Sequence, residues 1–168
     1  IYFTDSVFND DRKLFLGLLD SVVRRGLKIR WRAFFTPQIF SDDEMMLIKR
    51  SGVETPVLGI DALTDTTLDG LGKGYDFDTA VRSVESFRKH GIDVSASAIA
   101  CGPGETMDTL RESVENMNRL SGLPVFIFMG IRILPGAAIE KIALREGVIK
   151  KGQSLLKPVF YISPHVAA

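Results

Sequence analysis

Apolar residues recur along this chain in two alternating rhythms. Short runs that are apolar at most positions alternate with longer stretches in which apolar residues return every three or four positions. The first pattern predicts buried strands and the second amphipathic helices. Ile1–Thr4 reads as a short strand, and Leu14, Phe15, Leu18, Leu19, Val22 and Val23 line one face of the helix that follows. Arg24 and Arg25 lie near the negative end of its dipole and Gly26 supplies the stop. Leu27–Phe35 is then a strand with Ile29, Trp31 and Ala33 on one face and Arg30 and Arg32 on the other. Ser41 and Glu44 have the spacing of a capping box, which starts a helix through Arg50.

The alternation continues. Pro56–Ile60 is a strand with Asp61 at its end; a short helix around Thr66–Leu71 and a longer one capped by Asp76 follow. Ala80, Val81, Val84 and Phe87 are the predicted inward face of that longer helix. Ile92–Ala100 is a strand, succeeded by a helix with Met107, Leu110, Val114, Met117 and Leu120 on one face. Pro124–Ile133 reads as a last strand before a helix through Arg145; after Gly147 the pattern dissolves, apart from a short extended segment at Val159–Ile162. Strand starts recur at roughly the length of a βα unit, about 30 residues. This predicts an α/β fold with a parallel sheet and right-handed crossovers. A partial (β/α) TIM-like barrel fits, with an open doubly wound sheet as the alternative. No linker divides residues 1–168, so a single domain is expected. The abrupt opening at Ile1-Tyr2-Phe3-Thr4 suggests a fold entered part-way, truncated before its first strand.

Composition narrows the chemistry. Lys and Arg total 21, as do Asp and Glu, so the net charge is +0 and offers no footprint for nucleic acid. No apolar run is long enough for a membrane span, and a cytoplasmic protein is expected. Cys101 is the single cysteine and His90 and His165 the only histidines, too few for a disulfide framework or a Cys/His metal site.

In either parallel fold, ligands bind at the C-terminal ends of strands. That rule selects Asp5-Ser6, Arg32, Gly59-Ile60-Asp61, Cys101-Gly102-Pro103-Gly104-Glu105 and Arg132. The glycines after Cys101 let backbone approach a ligand, and the following helix start can receive oxygen atoms; a tight structural turn with an N-terminal Glu explains the same residues. Asp61 could accept two ribose hydroxyls or cap the next helical turn. Asp5 has the same ambiguity, with Asn9 and Asp10 expected to begin a helix. Arg32 could grip a carboxylate or phosphate, or be a solvated strand side chain. Gly70-Leu71-Gly72-Lys73-Gly74 lacks the spacing of a phosphate loop and reads as helix punctuation, with Lys73 distant from any strand end.

Taken together, several segments resemble the radical S-adenosylmethionine (SAM) superfamily, in particular its cobalamin-binding branch. They are Tyr2-Phe3-Thr4-Asp5-Ser6-Val7-Phe8-Asn9, Leu58-Gly59-Ile60-Asp61-Ala62-Leu63, Leu68 through Gly74, and Gly102-Pro103-Gly104-Glu105-Thr106. Ile131-Arg132-Ile133-Leu134-Pro135-Gly136, Glu146-Gly147-Val148-Ile149 and Leu155 through Pro164 complete the series. The resemblance implies a partial (β/α)₆ barrel with SAM across the strand ends. It implies that Asp5 and Ser6 meet the methionyl amino group, Asp61 the ribose, and Cys101, Gly102 and Glu105 the surroundings of methionyl group and adenine. Arg132, with Arg32, falls toward substrate, a small or lipid-like molecule. The implied cofactors are SAM and a [4Fe–4S] cluster, with cobalamin on an upstream domain. The implied reaction reduces SAM to a 5′-deoxyadenosyl radical that abstracts hydrogen or drives group transfer.

Three departures accompany the resemblance. The family's C-x-x-x-C-x-x-C triplet is absent, and one cysteine cannot replace three thiolates. The expectation is that the triplet precedes Ile1 and that the chain alone is inactive. Asp61 stands where Glu is usual, and Cys101 where Gly is common. The alternatives are a non-catalytic binding domain that has lost its cluster, and an iron-free TIM-type lyase using Asp61 with Lys73 or Arg132. The strand at Ile1–Thr4, if it lies on an edge, would offer itself to a second copy.

Overall fold

The computed structural model describes residues 1–166. Helices and strands alternate: α1 (Arg12–Arg24), β1 (Phe34–Phe35), α2 (Asp42–Arg50), β2 (Val57–Asp61), α3 (Asp65–Gly70) and α4 (Phe77–Lys89). They continue with β3 (Ser95–Ala100), α5 (Met107–Asn116), a 3₁₀ turn at Met117–Leu120, β4 (Val125–Met129), β5 (Ile131–Arg132), α6 (Ala138–Arg145) and β6 (Phe160–Tyr161). The main sheet is four-stranded and parallel, in the order β1-β2-β3-β4, with Phe34 opposite Val57 and Phe35 opposite Leu58. Strands laid down in sequence order have no reversal point. That removes the doubly wound alternative, whose order must reverse. Beyond β1, parallel bridges join Tyr2 to Arg32 and Trp31 to Val53. The predicted strands at Ile1–Thr4 and Leu27–Phe35 are therefore present largely as extended chain.

The residues group into two compact units. The first comprises Ile1–Ile60, Phe77–Ser97 and Arg119–Phe126. Its core is aromatic: Trp31 is 1% exposed, its ring centroid lies 5.3 Å from that of Phe8 and 5.7 Å from that of Phe3, and Phe15 meets Phe35 edge-on at 5.3 Å. The Trp31 indole N–H donates to the Ser51 carbonyl at 3.0 Å, so burial costs no unmade hydrogen bond. Burial alternates as the sequence predicts, with Trp31, Ala33 and Phe35 inside and Arg30 and Arg32 outside. Ser41 accepts from the Glu44 N–H and Glu44 Oε2 accepts from the Ser41 N–H at 2.7 Å, completing the predicted capping box. Arg12 pairs with the same carboxylate at 2.5 Å, tying α1 to α2. The cap of α1 is Asp11, not Asn9. Asn9 is instead fully buried, and its amide makes two bonds of 2.9 Å with the Thr36 backbone.

The second unit comprises Asp61–Asp76, Ala98–Asn118 and the chain from Ile127 onward. A satellite core of Ile133, Ala143, Ile149 and Tyr161 joins α6 to the antiparallel pair β5–β6. The segment after Gly147 thus has a definite place, although its hydrophobic pattern is too sparse to announce it. Burial, followed by the Glu146 carboxylate that accepts from its hydroxyl at 2.5 Å, pushes Tyr161 up to about 12. The predicted strand Pro124–Ile133 is broken at Gly130 (φ +72°), where a Cβ would fall 2.6 Å from the Tyr161 carbonyl oxygen. Two expectations of burial fail. Phe126, Ile127, Phe128 and Met129 of the outermost strand β4 are all exposed, and no residue of α5 is buried, with Val114 67% accessible. Their periodicity shows which faces are apolar, not that anything among the described residues covers them.

Gly26 (φ +64°) and Gly52 (φ +87°) both adopt left-handed backbone, but a Cβ at Gly26 meets open space whereas one at Gly52 falls 1.9 Å from the Ile29 carbonyl oxygen. Gly26→Ala is therefore expected to cost about 1–2 kcal/mol from backbone strain. Gly52→Ala should cost a further ~1–3 kcal/mol because the backbone must move. Urea unfolding midpoints of the two variants check the ranking.

Candidate functional site

Asp61 closes β2 and opens the second unit, and its backbone is left-handed (φ +65°). That conformation is uncommon for a residue with a Cβ and concentrates at functional sites. Thr64, and not Asp61, caps the next helix: its hydroxyl accepts from the Thr67 N–H at 3.2 Å. The Asp61 carboxylate is thereby released from a capping role. It pairs with Lys73 Nζ at 2.5 Å, with 27% of the Asp61 side chain and 34% of the Lys73 side chain exposed. An ion pair that open to water adds only about 0–1 kcal/mol of stability, so its main consequence is where it holds the carboxylate.

The reach of Lys73 corrects the sequence expectation that placed it far from a strand end, and the helix terminus explains it. The Gly72 N–H donates to the Asp69 carbonyl (2.9 Å) and the Lys73 N–H to the Leu68 carbonyl (3.0 Å). With Gly72 at φ +69°, these bonds form a Schellman motif. The glycine-rich stretch is helix punctuation, as predicted. That punctuation also reverses the chain and returns the next side chain to Asp61.

The end of β3 repeats the device. Cys101 has φ +64°, and Thr106 then caps α5 through Thr109, as Thr64 caps α3 through Thr67. Between them, Glu105 turns its carboxylate back into the loop. The residue is 3% exposed, Oε2 accepts from the Cys101 N–H, and the Gly102 N–H also faces the carboxylate. Burial raises the Glu105 carboxyl above the usual range, against these two backbone donors, which lower it. Its other surroundings are mostly apolar: Leu63, Ala98, Leu110, Met117 and Ile127, with Ser113, share with it the wall of a cavity of about 90 Å³. Cys101 is buried, and burial followed by the Glu105 charge holds its thiol up, which disfavours a thiolate nucleophile.

Ser163 is a participant that the sequence pattern did not single out. It is fully buried; its N–H donates to the Cys101 carbonyl (2.9 Å) and its hydroxyl to the Glu105 carbonyl (2.7 Å). Serine carries no hydrophobic signal, and its partners are 58 or more positions away, so only the resemblance of its segment marked the region. The two strand-end loops also touch through bare backbone: a Cβ on Gly70 would lie 2.3 Å from the Pro103 carbonyl oxygen, and one on Gly104 would lie 3.8 Å from the Gly70 Cα.

Arg132, in β5 opposite Phe160, is exposed. In the first unit, Asp5 and Ser6 are exposed on the loop pinned by Asn9, and Asp5 lines a cleft of about 290 Å³ with Phe8, Asp11, Leu14, Phe15 and Leu18. Arg32 is exposed beside Tyr2. Among the described residues, no group of three His, Cys, Asp or Glu side chains is placed to hold a metal ion. With one buried cysteine, the donors of this chain do not fit a [4Fe–4S] cluster. No helix of the described residues is long and apolar enough to cross a membrane.

Glu105→Ala should cost about 1–3 kcal/mol by orphaning buried amides, whereas Glu105→Gln keeps an acceptor and should cost less. Because the folded-state pKa is raised, the group's contribution is complete below about pH 4.5 and is lost as pH rises through the folded value. Denaturation across that window should show the decline in wild type and not in Glu105→Gln.

Comparison with known proteins bears on what this geometry serves. The chain is 28% identical to the tryptophan 2-C-methyltransferase of Streptomyces laurentii over 84% of its length and 26% of that protein. It is 24% identical to an uncharacterised methyltransferase of Pyrococcus horikoshii over 71% of its length and 26% of that protein. It thus spans about a quarter of the length of these curated relatives. Among solved structures, the radical SAM methyltransferase TsrM from Kitasatospora setae, with tryptophan and the SAM analogue aza-SAM bound, superposes with a TM-score of 0.80 at 22% identity, covering 98% of this chain and 39% of that one. The archaeal Elp3 of Methanocaldococcus infernus gives 0.63 at 13% identity, covering 95% and 41%. These likenesses establish the fold as that of the radical SAM partial barrel. The sequence profile of the Radical SAM superfamily matches residues 4–117, more than half of the chain. The chain belongs to the radical SAM superfamily.

Proposed function

We propose that residues 1–168 are the C-terminal part of the SAM-binding barrel domain of a radical SAM enzyme of the transferase type. The observation that carries this reading is the pair of left-handed strand ends at Asp61 and Cys101. One presents a partly exposed carboxylate; the other leads into the Gly102-Pro103-Gly104 backbone, held from below by Glu105. A carboxylate accepts two vicinal hydroxyls, as a ribose offers, and backbone without side chains lets a flat or extended ligand lie close. Gly104 is the exposed member of this loop, whereas Gly102 is buried against the Leu71 and Ile131 side chains, which a Cβ there would meet at 3.6 and 3.8 Å.

Membership of the superfamily and the methyltransferase relatives support group transfer as the reaction class. Arg132 is assigned to substrate on the second unit, and Asp5, Ser6 and Arg32 keep the ligand-facing roles that the resemblance implies. The cluster, which in this superfamily supplies the electron that cleaves SAM, finds no ligand set in this chain, and no residue here is assigned to cobalamin. A protein that joins this chain to a cysteine triplet would be the active form, and the cytoplasm is its proposed compartment. The exposed edge at Ile1 and Tyr2 (67% and 50% accessible) would otherwise be open to a second copy.

The test uses the longest native form of the protein, reconstituted anaerobically with iron and sulfide. Calorimetric titration with S-adenosylhomocysteine should show one site, and Asp61→Ala should weaken it by roughly 10–100-fold, the loss of charge-assisted hydrogen bonds. Reduction in the presence of SAM should release 5′-deoxyadenosine. No binding by a well-folded preparation overturns the reading.

A further inference from the structure

We infer that Lys73 is a positioning residue of the nucleoside site: the Schellman terminus of α3 delivers its ammonium to Asp61 Oδ2, and this fixes the carboxylate for its ligand. The inference rests on the reading of Asp61 as the ribose-binding carboxylate. It goes beyond that reading by assigning a function to a residue and a helix terminus that have no evident part in binding.

Asp61 ends a strand in a backbone conformation that side-chain-bearing residues rarely adopt, and it is one methylene shorter than Glu. A short carboxylate has less reach, so its direction matters more. None of the capping residues nearby claims it, because Thr64 and Thr67 satisfy the start of α3 between themselves. Lys73 takes hold of it, at 2.5 Å on Oδ2. A cation on one oxygen orients the carboxylate plane, and the lone pairs that remain on the two oxygens can still accept from a pair of ligand hydroxyls.

The ammonium is itself well placed by rigid parts. Lys73 follows Gly72, whose φ of +69° closes the two reversed hydrogen bonds that end α3. The helix is seated by backbone contact at Gly70, where a Cβ would strike the Pro103 carbonyl oxygen at 2.3 Å. Thus the carboxylate, its cation and the Pro103–Gly104 loop belong to one connected support. All of these residues lie in the second unit.

The test is a double-mutant cycle on the longest native form, reconstituted as above and titrated with S-adenosylhomocysteine. Lys73→Ala should weaken binding about tenfold, and Lys73→Arg, which keeps a cation at that reach, should recover most of the loss. With Asp61→Ala already in place, adding Lys73→Ala should change binding by less than about twofold, because the residue acts through Asp61. Lys73 is a third exposed, so the variants should melt with the wild type; the Arg rescue and the vanishing second step are readouts that a merely structural lysine would not produce. Wild-type binding with an unaffected Lys73→Ala overturns this inference alone. An equal loss in both backgrounds also overturns it, since Lys73 would then act independently of Asp61. Failure of wild type to bind removes the reading of Asp61 and the inference together.

Discussion

Gly70 lies where no other residue fits, with the Pro103 carbonyl oxygen occupying the space that a Cβ would need. That backbone-to-backbone contact seats α3 against the loop after β3, and the local chemistry of the second unit depends on it. From α3 come the Thr64 cap and the Gly72 reversal, and from the reversal comes the Lys73 partner of Asp61. From the loop come Cys101 and Gly102, with Glu105 beneath them. A single methyl group at position 70 would force these parts to shift together.

The two strand ends show how a fold can separate the end of a strand from the start of the next helix. A strand running directly into a helix normally spends its terminal polar residue on capping the first turn. Here the cap is delayed: Thr64 follows Asp61 by three positions and Thr106 follows Cys101 by five. Each delay holds one non-glycine residue in left-handed backbone, a conformation that the surrounding hydrogen bonds must over-determine. Ser163 contributes to that at Cys101, joining the chain's last described segment to the loop through two bonds. Glu105 contributes from inside, at the cost of burying a carboxyl, which raises it above the usual range.

Much of the architecture was legible in residue spacing, because helix and strand periods, caps and glycine stops are local properties. Ser41 with Glu44, the inward face Ala80, Val81, Val84 and Phe87, and the βα repeat all appear where the pattern places them. Strand limits were less legible: a residue's apolar character does not say whether a partner strand lies alongside, so Leu27–Phe35 pairs over only part of its length. The same limit explains β4 and α5, whose apolar faces are present but exposed.

The sequence by itself determined the α/β alternation, the family and the two strand ends at Asp61 and Cys101, since each rests on residue identity and spacing along the chain. Only the tertiary structure decided what those residues touch. It assigned the cap to Thr64 instead of Asp61, brought Lys73 across twelve positions to the carboxylate, buried Asn9 as a clamp on Thr36, and set Ser163 under the Cys101 loop. These are contacts between polar groups distant in sequence, and a polar side chain carries no periodicity from which its partner can be read.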